Sequence, residues 1–355
     1  MFIERADRLL EALAGLGAEG IVVHNRSNIR YLSGYSGEGL LVIAKGLRAI
    51  VTDFRYTEQA EQEAPGFSVS MTTATKLHEA VAAELVTGIQ TLAFEDEVVT
   101  VKGMNALVEA MPGVAFVSAG KKIESLRETK DDGEIAAIEK AAGITSQAFE
   151  RVLQKIKPGM TETELRLELE TICYTLGADK MAFDTIIATG ANGALPHAVP
   201  GSRAIEKGHF VTMDFGARVG GYCADMTRTI AVGAVDDQKR KIYDTVLKAQ
   251  LAALDAIKPD APCLEVDRVA RDIIDQAGYE GRFGHGLGHS LGIDIHEDPR
   301  FNTVSKAILR AGMVMTDEPG IYIPGTCGCR IEDTVLVTKT GARRLTEAPK
   351  ELLIV

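Results

Sequence analysis

Three of the seven histidines in this 355-residue chain fall within one glycine-rich stretch, GHGLGHSLGIDIHEDP (Gly284–Pro299). Two acidic pairs flank it in the sequence. Asp214 and Asp225 stand eleven positions apart around Gly220-Gly221, and Glu318 and Glu332 fourteen apart around Pro324-Gly325. A tight turn at each midpoint makes the flanks antiparallel strands and brings each pair within roughly 5–8 Å. The flanks, FVTMDF and MVMTDEPGIYI, are apolar. Carboxylates on half-buried strands are costly unless paired or bound to a cation. Arg228 and Arg330 are the nearest cationic side chains, and they cannot neutralise four acids. The spacing therefore points to multivalent cations. An oxygen-rich site with one imidazole suits a pair of divalent ions such as Mn²⁺, Co²⁺ or Zn²⁺. Four carboxylates and two such ions sum to zero charge, and a water held between the ions becomes a nucleophile at neutral pH. One of the three histidines would complete the coordination, leaving two for a substrate.

Positioning these groups takes a particular scaffold, and an internal repeat suggests it. Lys157–Asp179 aligns with Lys258–Glu280 at an offset of 101, each a helix stop followed by an amphipathic helix. Gly208–Gly216 aligns with Gly312–Gly320 at an offset of 104, which sets Asp214 on Glu318. Each copy then turns through glycine and returns as a strand, Gly221–Val232 and Gly328–Val337. A duplicated helix-plus-hairpin unit would bring its hairpins face to face across a pseudo-twofold axis. Residues 1 to about 125 read differently. Short apolar strands at Leu40–Ala44, Ala49–Asp53, Thr91–Glu95 and Val114–Ser118 alternate with helical patterns at Leu77–Val86 and Val101–Met111, as in an α/β domain. A charged stretch, Glu124–Lys130, marks the boundary. Asp131 and Glu134 then signal a helix start, or an ordinary solvated surface helix.

Composition excludes several function classes. The net charge of −11 argues against a sequence-independent grip on nucleic acid. The N-terminus, MFIERADRLLEALAGLG, reads as an amphipathic helix rather than a signal peptide. The run Gly39–Ala44 is too short to span a bilayer, so a cytoplasmic protein without a membrane partner is expected. Five scattered cysteines imply reduced thiols, with Cys327-Gly328-Cys329 read as non-ligand. His24, His78 and His209 read as structural. The glycines of GHGLGHSLG lack a following Lys-Ser/Thr and do not form a phosphate loop.

The set Asp214, Asp225, His289, Glu318 and Glu332, with separations of 11, 64, 29 and 14, resembles the dinuclear metallopeptidases of the pita-bread fold. So do the surrounding MDFGARVGGYCADMTRT, DEPGIYIPG and CRIEDTVLVT. NIRYLSGYSGEGLLVI and VTDFRYTEQA resemble the creatinase-type N-terminal domain of the Xaa-Pro dipeptidase (prolidase) and aminopeptidase P branch. The resemblance implies an α+β pita-bread catalytic domain with internal duplication over residues 126–355, preceded by an α/β creatinase-type domain over residues 1–125. It implies that Asp214 chelates one ion, that Asp225 and Glu332 bridge both, and that His289 and Glu318 hold the other. It also implies that Glu318 shuttles a proton from the attacking water to the leaving nitrogen. By the same resemblance, His285, His296 and His197 contact substrate, Arg300 holds its carboxylate, and Arg330 orients a bridging carboxylate. A homodimer acting on proline-containing peptides would follow. Two other readings compete. A non-catalytic pita-bread relative binding peptide or protein would typically have lost ligands, and a metal-independent creatinase-like C–N hydrolase would lack the full carboxylate set. Two local departures carry expectations of their own: Asp317 would add charge near the site, and the thiols of TCGC would make activity sensitive to oxidation.

Overall fold

The computed structural model describes residues 1–355, which form two compact units, Met1–Arg127 and Glu128–Val355. The first is built on six strands: β1 (Gly20–Val23), β2 (Leu40–Ala44), β3 (Leu47–Thr52), β4 (Ser68–Met71), β5 (Thr91–Phe94) and β6 (Ala115–Ser118). They lie in the order β4-β3-β2-β1-β5-β6, antiparallel from β1 to β3 and parallel elsewhere. β1 and β2 are buried along their whole length. That is why they read as continuous apolar runs without alternation. Helices α1 (Phe2–Ala14), α2 (Arg26–Ser33), α3 (Thr57–Glu63), α4 (His78–Leu85), α5 (Val101–Ala110) and α6 (Lys122–Arg127) complete the unit. The four expected strands and two expected helices are present. β1, a fully buried apolar run, and β4, a partly exposed SVSM segment, were not anticipated.

The second unit opens with α7 (Asp132–Leu153). Asp131 accepts the Glu134 N–H, and Glu134 reaches back to the Asp131 N–H, both at 3.0 Å. This closes a capping box at the expected position. The helix is not a solvated surface element: Ile138, Ala142, Phe149 and Val152 are fully buried. With α8 (Glu162–Thr175) it packs against a first ribbon, and α9 (Asp237–Ala256) and α10 (Cys263–Ile274) cover a second. Two apolar cores result, one per copy of the repeat. Phe149, Leu169, Met213 and Ile230 belong to the first, and Tyr243, Val266, Met315 and Val335 to the second.

In the first ribbon β9 (Phe210–Phe215) pairs with β12 (Met226–Ala231), and β10 (Ala217–Val219) with β11 (Tyr222–Cys223). Its two-residue turn is Gly220-Gly221, at φ +57° and +87°, the left-handed pair that such a turn demands. β7 (Lys180–Met181) flanks β10, and β8 (Ile186–Thr189) flanks β9. In the second ribbon β15 (Val314–Asp317) pairs with β18 (Asp333–Val337), and β16 (Gly320–Ile323) with β17 (Cys327–Arg330). β13 (Gly288–Ser290) and β14 (Glu297–Phe301) extend it on one side and β19 (Ala342–Arg344) on the other.

The ribbons meet through their inner strands, which run antiparallel as a twofold relation requires. Threonine hydroxyls supply much of the seam. Thr229 Oγ1 donates to Arg330 O (2.9 Å) and Thr334 Oγ1 to Asp225 O (2.7 Å), while the Glu332 N–H donates to Thr227 O (3.0 Å). No helix is long and apolar enough to cross a membrane.

Candidate functional site

All four acids converge where the ribbons meet. Asp214 lies opposite Thr227 in the β9–β12 ladder. Asp225, two residues before Thr227, shares that face because side chains alternate along a strand. One oxygen each from Asp214, Asp225 and Glu332 lie within 4.8 Å of one another. Glu318 and Glu332 are opposite in the register that runs from Asp317↔Asp333 to Gly320↔Arg330. Between those ladder segments the pairing opens. The Glu318 N–H donates to Leu287 O (2.9 Å) and the Glu332 N–H crosses to Thr227 O (3.0 Å).

His289, on β13, joins this group. Its Nε2 lies 3.4 Å from Glu318 Oε1 and 3.8 Å from Asp225 Oδ2. Nδ1 sits 3.1 Å from Ser290 O, a contact that only an N–H donor at Nδ1 satisfies. Burial and the neighbouring His296 hold the ring pKa down at about 3, so the imidazole is neutral and presents the Nε2 lone pair to carboxylate oxygens. Lone pair against lone pair is repulsive without a cation between them.

The acids show the same strain. Burial pushes Asp225 and Glu332 well above the usual carboxylate range, with repulsion from Glu332 and Glu318, respectively, adding to it. Burial also lifts Glu318 to about 7, against the attraction of Arg330 and with repulsion from Asp214. Asp214 Oδ1 and Asp225 Oδ1 are buried without a hydrogen-bond partner. Arg330 reaches the cluster: Nη2 donates to Asp214 Oδ2, Nε to Thr227 Oγ1 (3.0 Å) and Nη1 to the Tyr322 hydroxyl (2.8 Å). Thr227 Oγ1 in turn donates to Glu332 Oε2 at 2.5 Å. One guanidinium against four carboxylates leaves the balance negative. Orphaned oxygens, a neutral imidazole aimed at them and mixed N/O donors fit divalent ions.

A cavity of about 380 Å³ opens over the cluster. His197, His285, His296 and Arg300 line it, and Phe183, Ile186, Pro196 and Ile295 form an apolar side. His296 packs edge-on to His289, with ring centroids 4.5 Å apart. His197 is exposed on the loop after β8, and the Arg300 side chain is 52% exposed, its Nε 3.9 Å from Asp298. His285 enters the wall with both ring nitrogens engaged, Nδ1 with Gly286 O and Nε2 with the Tyr322 hydroxyl, each at 2.8 Å. A substrate contact from His285 therefore requires one of these bonds to exchange.

Three expectations need correction. Asp317 does not add charge to the cavity. It points to the opposite face of β15 from Glu318, where it shares the Gln250 amide with Asp333 at 3.0 and 3.2 Å. Arg228 does not neutralise the four carboxylates either: it donates to the main-chain carbonyl of Glu332, not to its side chain. It pairs with Asp333 at 2.7 Å in that same buried network, next to Lys350. The thiols of Cys327 and Cys329 lie in the apolar core behind the second ribbon, and burial pushes both pKa values up. Buried, protonated thiols are poor targets for oxidation. Sequence reasoning missed Tyr322 and Thr227. Only their placement between Arg330, His285 and Glu332 distinguishes them from ordinary strand residues.

Twin ribbons closing on four carboxylates and an imidazole beneath an open cavity define a metal-dependent hydrolase. Residues 136–339 match the model of metallopeptidase family M24, and residues 5–129 match that of the creatinase/prolidase N-terminal domain. The chain belongs to metallopeptidase family M24, and this membership implies divalent metal ions. It is similar to a solved structure described as Xaa-Pro dipeptidase from Bacillus anthracis, at 41% identity, TM-score 0.97 and full coverage of both chains. A structure of X-Pro aminopeptidase from Thermotoga maritima is 34% identical, with TM-score 0.91, covering 97% of this chain and 100% of that one. The Xaa-Pro dipeptidase of Pyrococcus furiosus is 37% identical over 99% of both chains.

The raised acids predict a pH signature. A carboxyl whose folded pKa exceeds its unfolded value binds a proton more tightly when folded, so stability falls as pH rises between the two values. Chelator-treated protein should lose thermal stability as pH rises from about 4.5, the ordinary glutamate value, through about 7, the value for Glu318. Metal-loaded protein should not, since metal displaces those protons. Thermal midpoints measured in chelator and in metal should diverge across this window. Parallel curves would mean that the acids are not held in repulsion.

Proposed function

We propose that the protein hydrolyses the bond between an N-terminal residue and proline in dipeptides or short peptides. The convergence of Asp214, Asp225, Glu332 and Glu318 on the His289 imidazole carries this reading, together with the apolar side of the cavity. Asp214 would hold one ion, His289 and Glu318 the other, and Asp225 and Glu332 would serve both. Mn²⁺ or Co²⁺ best suits this oxygen-rich set, with Zn²⁺ the alternative. Bound ions would supply an acidified water and positive charge for the substrate carbonyl.

The chain's own groups do the rest. Glu318 accepts the water's proton and returns it to the proline nitrogen, which must be protonated to leave. His296 and His197 donate to the carbonyl oxygen or the substrate carboxylate, with His285 alongside them. Arg330 holds Asp214 directly and Glu332 through Thr227. Phe183, Ile186 and Ile295 accept the pyrrolidine ring. Residues 1–125 are the creatinase-type domain and 126–355 the catalytic domain of a cytoplasmic homodimer that does not bind nucleic acid.

Turnover of Xaa-Pro, abolished by chelator and restored by Mn²⁺ or Co²⁺, is the expected result. Peptide binding without turnover in metal-replete protein would favour a non-catalytic binding module instead. Arg300 separates dipeptide from longer substrates. Arg300→Ala should raise KM for Xaa-Pro by about 10–100-fold, the worth of a hydrogen bond to a charged group. It should leave longer peptides, whose carboxylate lies farther out, nearly unchanged. An equal effect on both substrates would remove Arg300 from carboxylate recognition.

A further inference from the structure

We propose that Glu162 is a positioning residue for the pocket: it clamps both ends of the Thr189–Gly201 loop and so fixes His197 at the cavity mouth. The inference rests on the assignment of His197 to substrate contact made above.

Glu162 sits in the first turn of α8, away from the metal ligands, and is 1% exposed. Both its oxygens are spent on one loop. Oε1 accepts the Thr189 N–H at 2.8 Å and Oε2 accepts the Gly201 N–H at 3.0 Å. The Asn192 amide donates to each oxygen at 3.0 Å. A buried carboxylate satisfied by neutral donors alone is costly to desolvate, whereas a hydrophobic residue would fill the same space without that cost. The geometry gives the charge a task, since one side chain bonds to both the entry and the exit of the loop.

Other contacts share the stem: Thr189 pairs with Val211 in the β8–β9 ladder, and Thr163 donates to Gly201 O through its N–H and its Oγ1, both at 3.1 Å. Leu195 and Val199 are 58% and 81% exposed, so apolar burial does not seat its tip. Two further anchors act on its main chain. Gly193 packs on Gly328 of β17, where a Cβ added to Gly328 would come within 1.8 Å of Gly193 O. Pro196 O accepts Arg330 Nη1 at 3.3 Å. Glu162 thus ties the two ends of the stem together, Gly328 backs the middle and Arg330 holds the residue before His197. A displaced stem would move the imidazole directly, while the five proposed metal ligands lie outside the loop and reach it only through Arg330.

The test uses full-length, metal-loaded protein carrying Glu162→Gln, which keeps the size but loses one acceptor, with Glu162→Asp as a second variant should the first fold poorly. Amide exchange should quicken by about tenfold or more across residues 189–201 and stay unchanged in β9 and β12. Turnover efficiency on an Xaa-Pro dipeptide should fall by about 10–100-fold, the scale of a misplaced catalytic contact, with metal content unchanged. Combining E162Q with His197→Ala should give a loss within about twofold of that of His197→Ala alone, because the two changes remove one function. Losses that multiply, or an unchanged exchange rate in the loop, would overturn the proposal. Should the parent protein turn over no Xaa-Pro substrate, the reading of function fails, and the exchange measurement alone decides Glu162.

Discussion

Metal-loaded protein carrying Glu318→Gln is expected to hydrolyse Xaa-Pro substrates about 10³-fold more slowly than the parent, within the range for removing a general acid–base group. Several features make this substitution informative. The Glu318 side chain is 16% exposed, enough to meet a substrate while staying largely dry. Thr316 Oγ1 donates to Oε1 at 3.1 Å, and a glutamine carbonyl keeps that bond. The amide also keeps the size and place of the side chain opposite Glu332. What it loses is the ability to take up a proton and release it. The defect should therefore fall on kcat rather than KM, and the acid limb of the pH–rate profile should change shape. Metal content by elemental analysis separates this outcome from lost coordination. A fall of less than about tenfold with metal retained would move the proton to another group, with His296 of the cavity wall the next to test.

Asp225→Asn should have opposite effects on activity and on the stability of metal-free protein. Asp225 is buried beside Glu332 and Asp214, with Oδ1 unpartnered. A neutral amide would hold a divalent cation far less well than a carboxylate, so metal-dependent turnover should drop by at least about 10³-fold. The same amide removes a buried charge from a mutually repelling group. In chelator at pH 8 the variant should be about 1–2 kcal/mol more stable than the parent, the usual gain where a functional site had been held in strain. At pH 5 the gain should shrink, because the raised pKa of Asp225 leaves the parent more fully protonated there than at pH 8. Denaturant unfolding at both pH values tests this. A variant less stable than the parent in chelator would show that Asp225 is held by contacts that an amide cannot make, and that the cluster is not repulsive.

Much of this site is legible in residue spacing because strands have a period of two and tight turns have fixed lengths. Gly220-Gly221 bisects the interval between Asp214 and Asp225, and the diagonal relation through Thr227 follows from the ladder. The Lys-Pro repeat at an offset of 101 marks α8 and α10, and the capping box at Asp131 marks the start of α7. Other features were hidden because they depend on a partner far along the chain. Tyr322 reads as one more strand residue until Arg330 and His285 close on its hydroxyl. Glu162 reads as an ordinary first-turn acid until a loop 27 to 39 residues away supplies its donors.

The sequence by itself determined the four acids, their pairing into two hairpins, the duplication and the histidine cluster, since each is a local pattern written in intervals along one segment. Only the tertiary structure decided which face each acid took, and it separated neighbours with different tasks. Glu318 and Glu332 turn into the cavity, while Asp317 and Asp333 turn into a buried network with Arg228 and Lys350. The reason is physical. Alternation along a strand gives two sides but does not name the inner one. That choice is made by what packs against each side, here a second ribbon on one and α9 with the C-terminal segment on the other.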